Sequence, residues 1–223
     1  MFCFLIFLLL RRKILKWMEA IHLPIFERLN IIMVILMLLP SHLVKGQSRA
    51  LKYKVVEKNN VIGWMNLEKK DSAHAYQITL NSEIKKRFVF LFIFIENQHA
   101  VFENGVLVQL HVYRKINNDI KVNKQTKKAG DYYKIQKGNV LKQAAISNIK
   151  CNQLSLYFFE PVNIAQVYSD NYEQYLKIEK SSDQSYVLAL PDGNKSYYYY
   201  TNGICTKVKM VQSFFTVEFI LST

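Results

Sequence analysis

Residues 185–221 read SYVLALPDGNKSYYYYTNGICTKVKMVQSFFTVEFIL and decide the fold class. Short runs rich in Val, Ile, Tyr, Phe and Thr alternate here with turn residues, a pattern typical of antiparallel strands joined by tight turns. Residues 190–194 fit a type I turn followed by a glycine in the left-handed region, and Asn202-Gly203 fits a two-residue hairpin turn. The segment therefore predicts a meander of four strands.

The same punctuation continues through the preceding part of the chain. Turn signals occur at residues 59–60, 104–105, 117–119, 129–130 and 138–139. Regularly spaced short strands of this kind are the mark of a sandwich or barrel. We therefore predict that residues 47–223 form a single all-β domain, an antiparallel meander that makes a curved sheet or a partly closed barrel.

The turns also predict the pairing of individual strands. If Asn104-Gly105 is a two-residue turn, partners across the hairpin have numbers that sum to 209, so His99 faces Leu110 and His111 lies on the opposite face. These two histidines then cannot hold one metal ion together. The strand that follows this turn is predicted to place Val106, Val108, Leu110 and Val112 on its core face.

Two cysteines fall within residues 47–223, Cys151 and Cys205. The turn at Asn202-Gly203 pairs Tyr199 with Thr206 and places Cys205 on the face opposite Ile204. That position suits an exposed thiol or a partner from elsewhere in the chain. An even number of cysteines permits a disulfide bond in an oxidising compartment, and the sequence leaves open whether the two are joined.

The most hydrophobic part of the predicted domain is residues 88–95, FVFLFIFI. A strand that is apolar on both faces does not lie on an open sheet with one side in water. It is either a central strand buried on both faces, which we favour, or the wall of an apolar cavity. The face that would line such a cavity carries Phe88, Phe90, Phe92 and Phe94.

A cover for that cavity is predicted between the two strand-rich regions. Residues 154–159 form an apolar, aromatic run, and Asn163 with Gln166 forms a capping-box pattern that predicts a short helix over about residues 163–170. This helix is expected to cover the sheet. The cover adds five residues to the predicted ligand-lining set: Leu154, Phe158, Ile164, Val167 and Tyr168.

The N-terminal region predicts export. Residues 31–39 are nine consecutive apolar residues, preceded by basic residues and followed by small residues at Val44 and Gly46. A spanning helix needs about 20 apolar residues, so the run fits a signal peptide, with residues 1–46 removed by cleavage before Gln47. Met18 begins an equally sensible signal peptide, so residues 1–17 can be an upstream extension. The alternative is a retained anchor, and only then would residues 1–46 contact the membrane.

The charge does not indicate a nucleic-acid-binding protein. Removal of residues 1–46 takes away six basic and two acidic side chains and lowers the net charge from +13 to +9. The remaining Lys and Arg are scattered rather than gathered on one helix or stripe. Solvated strand faces explain them better, and we expect no nucleic-acid partner.

The residues that could carry chemistry are few. No nucleophile elbow, phosphate loop or paired-cysteine metal motif is present, so we predict no catalytic residue, metal or cofactor. Glu96, Glu103, Glu160 and Asp170 could supply an acid and a base, but carboxylates at strand ends are ordinarily solvated. An enzyme therefore ranks third, and only a cleft that gathers Glu160, Asp170 and His74 would favour it.

Several motifs carry a resemblance to a known family. They are the signal peptide ending in Gly-Gln, Asn81-Ser82-Glu83, residues 101–105 (VFENG), 155–161 (SLYFFEP), 190–194 (LPDGN) and 202–205 (NGIC). The chain resembles an uncharacterised secreted, β-rich family of unknown function from flavobacteria-like Gram-negative bacteria. The resemblance covers most of residues 47–223 and implies an envelope location, in the periplasm or the cell envelope, and a shared fold. It implies no activity, and residues 88–95 are more apolar than the family pattern.

Two hypotheses of different classes follow. The first is an exported envelope protein that binds an apolar small molecule or lipid within the curved sheet. The second is a structural or interaction protein of the envelope, with a filled core and a protein partner. A continuous internal cavity would favour the first.

Overall fold

The computed structural model describes residues 48–87, 90–146, 148–213 and 215–222. The predicted signal peptide, residues 1–46, and Phe88 lie outside these ranges. No helix within them has the length and hydrophobicity that a membrane span requires.

The described residues form fourteen β-strands in one antiparallel sheet and a short 3₁₀ helix, Ser155–Tyr157. In chain order the strands are β1 (Ser48–Glu57), β2 (Asn60–Asp71), β3 (Ala75–Arg87), β4 (Leu91–Glu103), β5 (Val106–Ile116), β6 (Asp119–Ala129), β7 (Tyr132–Lys137), β8 (Val140–Ala144), β9 (Gln166–Ser169), β10 (Gln174–Lys180), β11 (Tyr186–Ala189), β12 (Lys195–Thr201), β13 (Ile204–Val211) and β14 (Thr216–Leu221). The sheet is an open meander in which β1 pairs with β14, and β8 and β9 are its edges. The predicted all-β meander is confirmed.

The turn chemistry places the strand ends as predicted. Asn104 and Gly105 have φ of 49° and 75°, and Asn202 and Gly203 have φ of 51° and 76°. Two consecutive residues with positive φ are the geometry of the type I′ hairpin turn, whose twist matches that of the flanking strands. Gly193 has φ of 83° in the turn between β11 and β12, as the sequence predicts.

A β-bulge beyond the first of these hairpin turns changes the register. Leu107 pairs with Phe102, but the next pair joins Val101 to Gln109, so Val108 is an extra residue. His99 therefore lies directly opposite His111, and the prediction that they occupy opposite faces was wrong. Leu107 is buried in place of Val108. A bulge depends on how both strands fit their neighbours, and the turn residues do not encode it.

The hairpin between β12 and β13 has a bulge at the equivalent place. Tyr199 pairs with Lys207 rather than with Thr206. Ile204 and Cys205 are consequently both buried, which excludes the exposed-thiol alternative for Cys205. Cys151 is buried as well, and both cysteines are free thiols.

The described part of the hydrophobic segment, residues 90–95, is not a strand buried on both faces. β4 begins only at Leu91, its pairing with β5 begins at Phe94, and the pairing of β3 with β2 ends at Ile84. Residues 85–87 and 91–93 therefore pair with each other beyond the ladders with β2 and β5, and Asn117 of the turn after β5 hydrogen-bonds the backbone of Ile93. Near the end of this hairpin, Phe90 lies 74% exposed and Phe92 41% exposed.

The predicted helix over residues 163–170 is a strand. Residues 166–169 form β9, which pairs with β10. Asn163 has φ of 60°, whereas a helix N-cap residue takes an extended backbone. Asn163 therefore does not cap a helix. β-branched and aromatic side chains at Val167 and Tyr168 favour the strand instead.

The core forms around a segment that crosses the inside of the curved sheet. Residues 149–158, which we call the plug, join β8 to β9 and are mostly buried. The Leu107 N–H in β5 donates to the Ile149 carbonyl at 2.8 Å, and the Tyr168 N–H in β9 donates to the Cys151 carbonyl at 2.9 Å. One extended segment can reach both strands only because the sheet curls, since β5 and β9 are far apart in its order.

A candidate ligand cavity inside the curved sheet

A cavity of about 480 Å³ lies between the inner face of the sheet and the plug. Its sheet wall is built from strands in which every second residue points inward, as the period of a strand requires. The apolar residues that the strands place on this wall are Met65, Leu80, Ile84, Phe94, Met210, Val217 and Phe219, and Phe215 joins them from the turn before β14.

The plug supplies the opposite wall through Gln153, Leu154 and Tyr157. Its 3₁₀ helix is fixed by reciprocal hydrogen bonds: the Ser155 N–H donates to Asn152 Oδ1 at 3.0 Å, and the Asn152 N–H donates to Ser155 Oγ at 2.8 Å. These bonds satisfy backbone donors that the short helix leaves free. The wall is therefore held in place by the plug's own side chains.

Tyrosines fasten the plug to the sheet. The hydroxyl of Tyr200 donates to the Leu156 carbonyl at 2.8 Å. Tyr157 packs edge to face against Tyr53 and Tyr198, with ring centroids 5.4 Å and 6.3 Å apart. Burial raises the pKa of Tyr157 and of Tyr198 well above the ordinary value, so both line the cavity as neutral phenols.

One end of the cavity is charged. Arg114, on the inner face of β5, contacts Glu96 Oε1 through Nε at 2.5 Å and Asp170 Oδ2 through Nη2 at 3.1 Å. It also donates to Asn171, and Glu96 accepts a second bond from Gln98 at 2.7 Å. Burial lowers the pKa of Arg114, but the two facing carboxylates more than offset this and raise it. The guanidinium is therefore a permanent cation with its donors directed at fixed partners.

A second ion-pair group lies beside the first. Lys124 is buried and donates to the backbone carbonyl of Asp170, and Glu173 pairs with both Lys124 and Lys142. Burial lowers the pKa of Lys124, opposed by Asp170 and Glu173. Burial raises the pKa of Glu173, but the two lysines hold it below its ordinary value. Because Lys142 is on the edge strand β8 and Glu173 precedes β10, these side chains bridge the open seam of the sheet.

Comparison with protein families gives one match that spans most of this structure. A family model described as a domain of unknown function, DUF6134, matches residues 53–222, from the middle of β1 to the end of β14. This chain belongs to the DUF6134 family. No curated protein matches its sequence.

A solved structure shares the fold of this DUF6134 domain. It is the crystal structure of a β-barrel-like protein of domain of unknown function DUF1849 from Brucella abortus. The superposition has a TM-score of 0.53 at 10% sequence identity and covers 80% of this chain and 97% of that chain. At this identity the likeness shows a shared β-barrel-like architecture.

The structure separates the predicted ligand-lining residues of the DUF6134 domain. Phe94 and Leu154 line the cavity, whereas Phe90 and Phe92 lie on the exposed hairpin extension. The remaining described members do not line it: Phe158 and Ile164 line two other pockets, and Val167 and Tyr168 are core residues of β9.

Two of the acid and base candidates, Glu96 and Asp170, meet at the charged end of the cavity, but Glu160, Asp170 and His74 do not gather in one cleft. Asp170 lines the cavity, Glu160 accepts a hydrogen bond from the Tyr186 hydroxyl at 3.0 Å, and His74 is an exposed residue of the turn between β2 and β3. His99 contacts Gln77 and His111 contacts Asn123, through their Nε2 atoms. Among the described residues, no three His, Cys, Asp or Glu side chains form a group that could hold a metal ion.

Sequence reasoning missed the charged end of the cavity. Arg114 is separated from Glu96 by 18 positions and from Asp170 by 56. One signal was available: Arg114 continues the inward alternation of Leu110 and Val112. A charged residue at such a position indicates an ion pair inside the sheet.

Proposed function

We propose that this DUF6134 protein is an exported envelope protein that binds an apolar ligand within its curved sheet. The observation that carries the proposal is the cavity of about 480 Å³, which lies in the size range of small-molecule sites. Its walls are mainly apolar side chains, with a few convergent polar groups at one end. The cavity favours this proposal over a structural protein with a filled core.

The charged end defines what kind of apolar molecule would fit. Glu96, Asp170 and Arg114 neutralise one another in part, and the amides of Gln98 and Gln153 are next to them on the lining. A hydrocarbon body would bury its surface against the apolar wall, and an uncharged polar head would exchange hydrogen bonds with this end. We therefore propose an amphipathic molecule such as a lipid with one apolar chain.

Ligand binding in the cavity can be tested with a bulky substitution on the inner face of β3. Ser82 is buried and lines the cavity, whereas its neighbour Asn81 is exposed on the outer face. We expect organic extracts of the protein from its native host to contain a bound apolar molecule by mass spectrometry. Ser82→Phe should reduce the bound amount at least about tenfold, since added bulk in a packed site excludes the ligand.

Asn81→Phe is the matched control, because it adds the same side chain to the same strand without reaching the cavity. It should retain the ligand. An empty wild-type protein, or equal ligand in the Ser82→Phe and Asn81→Phe variants, would contradict the proposal.

Export is proposed separately, from the sequence of residues 1–46. The mass of the protein recovered from its native host tests it. A chain that begins at Gln47 supports export with cleavage, and a full-length chain would instead support a retained anchor.

A further inference from the structure

The extension of the β3–β4 hairpin exposes a group of large apolar side chains. We call residues 85–87 and 90–93 the β3–β4 tip; its pairs Lys85–Ile93, Lys86–Phe92 and Arg87–Leu91 lie beyond the ladders with β2 and β5. Phe90 is 74% exposed, Leu91 44% and Phe92 41%. Three consecutive large apolar residues exposed near the end of a hairpin are unusual for a solvated surface.

The surroundings of the tip are basic. In an antiparallel meander the turns after β1, β3 and β5 share one end of the sheet, so residues 57–58, 83–87 and 115–121 lie at this end. Together they carry six Lys or Arg and three Asp or Glu, a net charge of +3. Arg87 is exposed at the tip itself.

The tip also stands next to the cavity. Ile84 pairs with Phe94 at its base, and both line the cavity together with Phe215, which is 38% exposed. The apolar surface of the tip therefore continues into the apolar wall of the cavity.

We propose that the β3–β4 tip docks this protein on an anionic lipid surface. The aromatic and aliphatic side chains enter the interface, and the basic residues around them face the lipid headgroups. Charge decides between this partner and a second copy of the chain, because a second copy that docked through its own tip would bring the same basic turns against these. The proposal goes beyond ligand binding in the cavity, and docking does not require that the cavity be filled.

A tryptophan placed at the tip tests the proposal directly. The full chain is expressed in its native host, and Phe90→Trp is mixed with vesicles of phosphatidylcholine and phosphatidylglycerol whose acyl chains carry bromine, a fluorescence quencher. The added fluorescence, measured as the difference from the parent protein, should be quenched. Phe159→Trp is the control, because Phe159 is also an exposed aromatic residue but lies beside the start of β1, at the other end of the sheet.

Two further variants separate the apolar and the electrostatic contributions. The double variant Phe90→Ser with Leu91→Ser should weaken vesicle binding at least about tenfold, which corresponds to losing the burial of one large apolar side chain. Lys85→Glu with Arg87→Glu should abolish the preference for vesicles that contain phosphatidylglycerol over pure phosphatidylcholine. All four positions are exposed, so these variants should fold like the parent protein. An unchanged circular dichroism spectrum checks this.

The outcomes are distinct. Quenching at Phe90→Trp without quenching at Phe159→Trp supports docking through the tip. No quenching at Phe90→Trp, quenching at Phe159→Trp instead, or equal binding to neutral and anionic vesicles overturns the proposal. An empty cavity would affect only the proposed ligand, because the quenching experiment does not measure it.

Discussion

At the scale of single residues, buried tyrosine hydroxyls differ in what they contribute to the free energy of unfolding. The Tyr53 hydroxyl donates to the Cys205 carbonyl at 2.6 Å, whereas the Tyr168 hydroxyl has no hydrogen-bond partner among the described residues. We expect Tyr53→Phe to lower the free energy of unfolding by about 1–2 kcal/mol, because it leaves a buried carbonyl without its donor. Tyr168→Phe should change it by less than about 0.5 kcal/mol. Urea unfolding measures both, and equal losses would contradict this account.

Cys205 gives the protein an alkaline pH dependence. Burial raises the pKa of its thiol from 9.0 to about 12. The unfolded chain therefore loses this proton first as the pH rises. The contribution of the Cys205 thiol to the free energy of unfolding is complete below pH 9. It is lost between pH 9 and about 12, at about 1.4 kcal/mol per pH unit.

The contribution of Cys205 can be separated from that of the tyrosines, whose ordinary pKa is 10.0. Urea unfolding of the wild type and of Cys205→Ala is compared between pH 9 and 10. The wild type should lose stability faster than the variant as the pH rises over this interval. Parallel pH profiles would show that the buried thiol does not control the dependence.

At the scale of elements, burial of the plug is predicted to contribute much of the free energy of unfolding. Leu156 is fully buried in it, and Leu156→Ala should lower the free energy of unfolding by about 2–5 kcal/mol through lost burial and the cavity left behind. Val162, which follows the plug and is exposed, is the control, and Val162→Ala should change the free energy by less than about 0.5 kcal/mol. A plug that only rests on the sheet would give a small loss for both variants.

The turns and bulges show which parts of the fold depend only on neighbouring residues in the chain. The turns at Asn104-Gly105 and Asn202-Gly203 were predicted correctly because positive φ at two successive residues is a property of those residues. The bulges at Val108 and Thr206 were missed because each depends on the strand opposite. The strand β9 was mistaken for a helix because four residues carry too little periodicity to override one capping pattern.

At the scale of the whole molecule, ion pairs join parts that the backbone ladder leaves separate. Asp170, in the turn between β9 and β10, is buried against Arg114 of β5. Asp170→Asn should lower the free energy of unfolding by about 3 kcal/mol, because it leaves the buried guanidinium with less compensation. Amide hydrogen exchange in β9 and β10 should also become faster.

The control for this change is Asp119→Asn. Asp119 pairs with Lys121 at the surface, where both side chains are well exposed, so its loss should cost less than about 1 kcal/mol. If both substitutions destabilise the protein equally, the pair of Asp170 with Arg114 does not hold the seam.

The candidate site was predictable only in part. Phe94 and Leu154 were recognised because inward alternation and an apolar run are visible in the chain. Phe90 and Phe92 were placed in the same wall, but their exposure follows from where the neighbouring strands end, which no local pattern states.

The sequence by itself determined the all-β class, the antiparallel meander and the positions of the tight turns, because strand alternation and positive-φ residues act over a few neighbouring positions. Only the tertiary structure decided the bulged registers, the burial of Cys205, the path of the plug and the meeting of Glu96, Arg114 and Asp170 at the cavity. These features arise from contacts between residues far apart in the chain. Their energy depends on how the sheet curls, and a strand pattern does not encode that curvature.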